Sequence, residues 1–235
     1  MKAVVLCGGL GTRLGALTRT TPKPLMPVGG RPFLAHVLDK LCVPEVDGLI
    51  LATGFQAGQV AEAIGTHWQG RDVWYSVEPE PRGTGGALRL AMETYAQEIV
   101  LVVNGDTLFD CDLSALLTGF MTSPWATRMA LRAVENCSRY GRVQLDEDQA
   151  VISFGEKGYN GPGLINAGIY LQRLSPLAAF GDNPFSLEED YLAHLPIAWP
   201  IQGIPFDGYF IDIGIPEDLD RARHDLGKRD NSRSR

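Results

Sequence analysis

An arginine set inside a glycine-rich turn is the first place in this chain where residue types and spacing point to chemistry. The run Gly8-Gly9-Leu10-Gly11-Thr12-Arg13-Leu14 follows an apolar stretch, Lys2–Leu6. Glycines after a strand let the backbone bend so that successive N–H groups face one anion. Arg13 within that bend can hold a polyphosphate through bidentate hydrogen bonds. Lys23 then stands between two prolines in Thr21-Pro22-Lys23-Pro24-Leu25-Met26-Pro27-Val28. Proline fixes φ, so the lysine is presented in a nearly constant direction and suits a second charge on the same phosphates. Two acids close apolar runs, Asp106 in Asn104-Gly105-Asp106 and Asp212 after Tyr209-Phe210-Ile211. A carboxylate at the carboxyl end of a strand can hold Mg²⁺, an oxygen-seeking ion that keeps several waters. Either aspartate alone can equally cap a helix or form a turn.

The glycine turn is not a dinucleotide fingerprint. That motif needs a small residue where this chain has Leu14, and an acid about 20 positions on that is absent here. GxxxxGK[ST] does not occur either, which removes the Walker loop. Arg82-Gly83-Thr84-Gly85-Gly86 precedes a helical pattern, so its backbone can lie close against a flat ligand. Glu156-Lys157 follows another apolar run and reads as a binding pair or as a surface ion pair. His36, His67, His194 and His224 fall outside these clusters and are expected on helix or turn surfaces.

These residues need strands that end where they stand. Lys2–Leu6, Gly48–Ala52, Val73–Val77 and Ile99–Val103 read as strands, alternating with helices at Pro32–Leu41, Ala57–Ile64 and Thr84–Thr94. Such alternation implies parallel strands, and continuous apolar strands imply helices on both faces. The second half is less regular. It has strand patterns at Thr127–Val134, Arg142–Leu145, Val151–Phe154, Leu164–Leu171 and Tyr209–Ile213. Ser186–Leu195 is a helix with a capping box from Ser186 to Glu189, and Pro216–Leu226 a helix opened by proline. Residues 1–226 read as one α/β domain, and 227–235 as a polar, basic tail expected to be disordered.

Composition agrees. At 235 residues and 45% hydrophobic the chain can bury a full core, and a net charge of −7 argues against nucleic acid as partner. The four cysteines form no CxxC pair, so zinc and dithiol chemistry are not expected. No run approaches the length of a membrane span, and a cytoplasmic protein is expected.

Taken in order, GGLGTRL, TPKPLMPV, Glu78-Pro79, Gly83-Thr84-Gly85-Gly86-Ala87, Asn104-Gly105-Asp106, Phe154-Gly155-Glu156-Lys157, Asn166-Ala167-Gly168-Ile169-Tyr170 and Asp212-Ile213-Gly214 resemble the sugar-1-phosphate nucleotidyltransferases, the nucleoside-diphosphate-sugar pyrophosphorylases. The resemblance spans Met1 to about Ala222. FGEKG, NAGIY and YFIDIGIPEDL look most like the guanylyltransferases acting on D-glycero-D-manno-heptose 1-phosphate. It implies a single-domain, Rossmann-like α/β fold of GT-A type, with a mixed, mostly parallel sheet. It also implies an NTP, GTP above others, joined to a sugar 1-phosphate, and a possible homo-oligomer. Arg13, Lys23 and Asp106 are then catalytic, and Asp106 and Asp212 hold Mg²⁺. Leu6, Gly8, Gly9, Gly11, Thr12, Arg13, Lys23, Glu78, Gly83, Thr84 and Gly85 bind nucleotide; Gly105, Glu156, Lys157 and Asn166 bind the sugar phosphate. Mannose 1-phosphate with GTP and N-acetylmuramic acid 1-phosphate with UTP stay open, as does a catalytically silent nucleotide-sugar sensor. Where many relatives have leucine this chain has Arg82, to which no role is assigned.

Overall fold

The computed structural model describes residues 1–9, 12–155, 157–194 and 198–233, leaving aside the side chains of residues 12, 13, 16 and 229–233. The strands are β1 (Lys2–Leu6), β2 (Pro27–Val28), β3 (Arg31–Pro32), β4 (Gly48–Thr53), β5 (His67–Trp68), β6 (Arg71–Val77), β7 (Ile99–Asn104), β8 (Thr107–Phe109), β9 (Thr127–Val134), β10 (Arg142–Leu145), β11 (Val151–Phe154), β12 (Gly163–Arg173), β13 (Ile201–Phe206) and β14 (Phe210–Asp212). The helices are α1 (Phe33–Lys40), α2 (Ala57–Ile64), α3 (Gly83–Thr94), α4 (Leu113–Leu117), α5 (Leu174–Ala178) and α6 (Pro216–Arg233).

The main sheet runs β11-β10-β12-β7-β1-β4-β6-β5, with β9 paired to β12 and β13 to β9. β7, β1, β4 and β6 are parallel, as the alternating pattern requires. Successive side chains in a strand point to opposite faces. Ala3, Val5, Leu49, Leu51, Leu101 and Val103 therefore join one core with α1, α2 and α6, and Val4, Ile50, Val100 and Val102 the other with α3. Each fully buried side chain of this kind stabilises by about 1.5–3 kcal/mol.

Beyond β7 the chain turns antiparallel. β12 pairs with β9 along one edge; on the other edge Leu164 and Ile165 meet β10, whereas Ile169–Arg173 meet β7. The change of partner falls where the β9 register shifts, between Asn166 and Tyr170. Gly168 has φ +72° there, and its N–H donates to Asn166 Oδ1 at 2.9 Å. This is a β-bulge that re-aims a strand.

Three expectations from sequence change. The helix at Ser186–Leu195 is a single π turn, Leu187–Tyr191, with a short 3₁₀ piece after it, and Leu195 lies outside the described residues. Ser186 Oγ accepts from Glu189 N as expected, but Ser186 N donates to Asp190 Oδ2 (2.6 Å) instead of to Glu189. The wider turn moves the reciprocal acceptor one residue along. The last helix runs on to Arg233, past Leu226. His36, expected on a surface, is buried in α1 with Nε2 3.0 Å from Val28 O.

The first turn of α3 is held from outside the helix. Its leading N–H groups have no partner within the helix, and those of Gly85 and Gly86 donate to Phe185 O at 3.0 and 3.4 Å. Phe185 N returns a bond to Arg82 O (2.9 Å), and Leu187 N one to Thr84 Oγ1 (2.9 Å). This approach needs glycine: a Cβ at Gly83 would lie 2.4 Å from Phe185 O, and one at Gly85 2.1 Å from the Phe185 ring. Beneath the same corner, Glu78 accepts from Arg82 N at 2.9 Å, while its Oε1 would be 3.1 Å from a Cβ on Gly8. Burial pushes the Glu78 carboxyl up from its ordinary value, against the Arg82 N–H and charge.

Gly85→Ala tests the first contact. Helix propensity alone favours alanine by about 0.5–1 kcal/mol, but the Phe185 ring is stacked face to face on Phe180 at 4.1 Å and has little room to retreat. A net loss of about 1–2 kcal/mol in urea melts is expected. In a Phe185→Ala background the same change becomes neutral or stabilising, and equal costs in both backgrounds would remove the steric explanation. Glu78→Gln tests the second. A raised folded pKa means that stability from this group is complete below the unfolded value and is lost as pH rises through the folded one. The Tm difference, variant minus wild type, should be more positive at about pH 7.5 than at about pH 4. A difference that is flat with pH, or that falls, contradicts the assignment.

Candidate active site

The parallel strands end on one side of the sheet, where open α/β sheets place their ligands. β7 ends at Asn104, and Gly105 N then donates to Leu6 O at 2.9 Å, pinning the turn over β1. A Cβ on Gly105 would stand 2.9 Å from that carbonyl and 3.1 Å from Cys7 Sγ. Gly105 is therefore the residue that lets the chain cross closely, and Asp106 emerges next to it. β8 follows at once and pairs antiparallel with β14, matching Thr107 with Asp212. Ile213 N closes the pair on Asp106 O at 3.0 Å. Two aspartates a hundred residues apart in sequence are thus set side by side by one short ladder.

Lys23 enters between them from a 3₁₀ turn, Lys23–Leu25, held by Pro22 (φ −53°) and buried Pro24. Its ammonium forms a short ion pair with Asp106 Oδ2 and lies 3.8 Å from Asp212 Oδ1. Burial raises the Asp212 pKa, and Asp106 raises it further; Lys23, the Gly214 N–H (2.7 Å to Oδ1) and Arg139 oppose the shift. One ammonium thus faces two carboxylates. The pair already converges on one cation, and an all-oxygen donor set of this kind fits Mg²⁺, whose remaining ligands are waters and phosphate oxygens. Among the described residues no group of three or more potential metal-binding side chains gathers, so the protein alone offers an open site.

Around this floor lies a cleft of about 830 Å³. Leu6, Gly8, Gly9, Lys23, Thr84, Asp106, Lys157, Asn166 and Asp212 line it, as the sequence expected of a binding site. Glu78, Gly83, Gly85 and Gly105 are not among its lining. The first three build the corner described above, with the Gly85 N–H already committed to Phe185, and Gly105 lies under the turn. Gly11 and Glu156 lie outside the described residues, and of Thr12 and Arg13 only the backbone, at the start of a 3₁₀ stretch Thr12–Arg19, is described.

Among the lining residues to which the sequence assigned no site role are Asn104, inside a quoted motif, and Arg139, Tyr140 and Glu188. Arg139 ion-pairs with Asp218, which is buried in the first turn of α6, and Tyr140 packs edge-on against Phe210 at 5.8 Å. Arg139 and Tyr140 stand before β10, where no motif marks them. Glu188 was overshadowed by its neighbour Glu189, which carried the capping-box signal. The Asn166 amide donates to Tyr170 OH (2.5 Å) and to Glu188 Oε1 (3.1 Å), to which Tyr170 OH also donates (3.1 Å). Arg82 contributes its backbone N–H to Glu78. No described helix is long and apolar enough to cross a membrane.

Many known proteins are similar to this chain. D-glycero-alpha-D-manno-heptose 1-phosphate guanylyltransferase of Aneurinibacillus thermoaerophilus is 36% identical over 227 residues, spanning 96% of this chain and 98% of the relative. The protein of that name from Campylobacter jejuni subsp. jejuni is 39% identical over 219 residues, spanning 93% and 96%. The crystal structure of HddC from Yersinia pseudotuberculosis complexed with GMP-PN superposes with a TM-score of 0.84 at 31% identity, covering 96% of this chain and 99% of that one. The family model for nucleotidyl transferases matches residues 2–178, and with it the glycine turn, Lys23 and Asp106, so this chain belongs to the nucleotidyl transferase family.

Proposed function

We propose that this chain is a guanylyltransferase that joins GTP to D-glycero-D-manno-heptose 1-phosphate and releases pyrophosphate. The observation that carries the reading is Lys23 held between Asp106 and Asp212 on the floor of a cleft that Lys157 and Asn166 also line. The likeness to heptose 1-phosphate guanylyltransferases over nearly the whole chain supports the choice of substrates.

An oxygen of the sugar 1-phosphate attacks the α-phosphorus of GTP in line; the new O–P bond forms as the bond from Pα to the bridging oxygen breaks, and pyrophosphate leaves with that electron pair. The phosphate dianion is itself the nucleophile, so no side chain has to remove a proton. The one described histidine in the core, His36, is held at Val28 O. What remains for the protein is positioning and charge neutralisation. Lys23 serves the α-phosphate from its stiff turn, Arg13 the departing β,γ-phosphates with the N–H groups of Gly8, Gly9 and Gly11, and Lys157 the sugar phosphate. Asp106 and Asp212 would hold Mg²⁺, which would supply positive charge to offset the repulsion between the phosphate groups. Guanine is read by backbone and polar groups at the rim, and a site that hydrogen-bonds its base rejects a wrong one strongly, because buried polar groups are then left unpaired.

Asp106→Asn should lower kcat/KM by about a thousandfold or more with the melting curve little changed, since the substitution keeps shape and removes a charge that holds the metal. Activity within about threefold of wild type would place the metal elsewhere. Pyrophosphate release from each of four NTPs against several sugar 1-phosphates should single out GTP, and the manno-configured heptose over glucose 1-phosphate. Comparable kcat/KM for UTP and GTP would end the guanylyl assignment while leaving the transfer chemistry intact.

A further inference from the structure

Beyond the residues already given roles, the part of the cleft lined by Lys157 and Asn166 contains a carboxylate whose surroundings are built for it. Glu188 sits in the π turn Leu187–Tyr191, close to solvent-exposed Glu189 yet itself largely enclosed. Oε1 accepts from Asn166 Nδ2 and Tyr170 OH, each at 3.1 Å, and the nearby Asn104 side chain favours the charged carboxylate. Asn166 and Tyr170 flank the β12 bulge, and Asn104 ends β7, the strand with which β12 pairs beyond that bulge. Asn166 is fully used in the process, because its Oδ1 accepts from Gly168 N. An ionised carboxylate offers about four acceptor positions. Two donors, both on Oε1, leave it room for another on the cleft side.

We propose that Glu188 is a specificity-determining residue that accepts a hydrogen bond from a ring hydroxyl of the sugar 1-phosphate, and that Asn166, Tyr170 and Asn104 position its carboxylate for that purpose. The assignment deepens the reading above and rests on it. A buried carboxylate beside Asp106 gains nothing for folding by being there: burial and Asp106 both push its pKa up, and only the donors and Lys157 pull it down. An apolar residue in the π turn would avoid that cost. A sugar hydroxyl, as a neutral donor, is a partner that a carboxylate in such a pocket can bind without a second buried charge. The device that brings Glu188 here is the docking of Phe185 and Leu187 on the first turn of α3, which sets the π turn against the bulge.

The test is a cycle between protein and ligand. Wild type, Glu188→Gln and Glu188→Asp are compared on the full sugar 1-phosphate and on a series of analogues each lacking one ring hydroxyl, with GTP as co-substrate. For one analogue, wild type should lose about 10- to 100-fold in kcat/KM, the range for a hydrogen bond to a charged acceptor, and Glu188→Gln should lose about threefold or less on the same change. The KM for GTP should stay within about twofold in the variant. Glu188→Asp keeps the charge with a shorter reach; it should retain part of the discrimination and serves as the readout if Glu188→Gln does not fold. A uniform loss across all analogues, or a lowered Tm with discrimination unchanged, would make Glu188 structural and overturn the assignment. Wild type that transfers no nucleotide to any sugar 1-phosphate would overturn the proposed function itself, and this assignment with it.

Discussion

Two carboxylates forced to share one cation set the terms for the rest of this molecule. Like charges within a few ångströms repel by several kcal/mol at the effective dielectric near a protein surface, and burial first, then Asp106, raises the Asp212 pKa. The chain overcomes this with backbone geometry. The Thr107–Phe109 and Phe210–Asp212 ladder and the Ile213 N–H on Asp106 O hold the pair together whatever their charges prefer. Lys23 then relieves the repulsion, from a turn so constrained by proline that it has few other places to put its ammonium. Stability for this arrangement comes from elsewhere, chiefly from the two apolar cores on either face of the parallel strands. Rules of local consistency are broken where function is, and the cores bear the cost.

The opposite wall of the cleft follows the same principle with different means. Gly83 and Gly85 leave space for Phe185, and the carbonyl of Phe185 does for α3 what a capping side chain does elsewhere. That docking, a π turn and a β-bulge converge on Glu188, Asn166 and Tyr170. π turns and bulges are irregular insertions in otherwise regular elements, and both re-aim side chains. Here they do so at one point from two directions.

Reading residues in order recovered much of this. The parallel strands and their helices were legible because their apolar residues repeat with the period of the element and their ends are marked by glycine and proline. Lys23, Asp106 and Asp212 were legible because charged residues interrupt apolar or proline-rich runs at strand ends. Glu188, Arg139, Tyr140 and Asn104 were not. Each owes its place to a partner far away in sequence: Glu188 to Asn166 and Tyr170, Arg139 to Asp218, Tyr140 to Phe210. The close approach of Phe185 to Gly83 and Gly85 was not legible either, since a glycine that admits a ligand and one that admits a phenylalanine look the same in a sequence.

By itself, then, the sequence determined the α/β class, the alternation of parallel strands and helices, and a stiffly held cation and two acids at strand ends. Those follow from local periodicity, from the restricted φ of proline and from the cost of burying charge without purpose. Only the tertiary structure decided that Asp106 and Asp212 are neighbours across a short antiparallel ladder, that β12 changes partners at Asn166, and that the acid turned into the cleft is Glu188. These depend on register, on a positive φ at Gly168 and on one extra residue in a helical turn. Each is a local change of register or turn that leaves composition and pattern unchanged while redirecting a side chain.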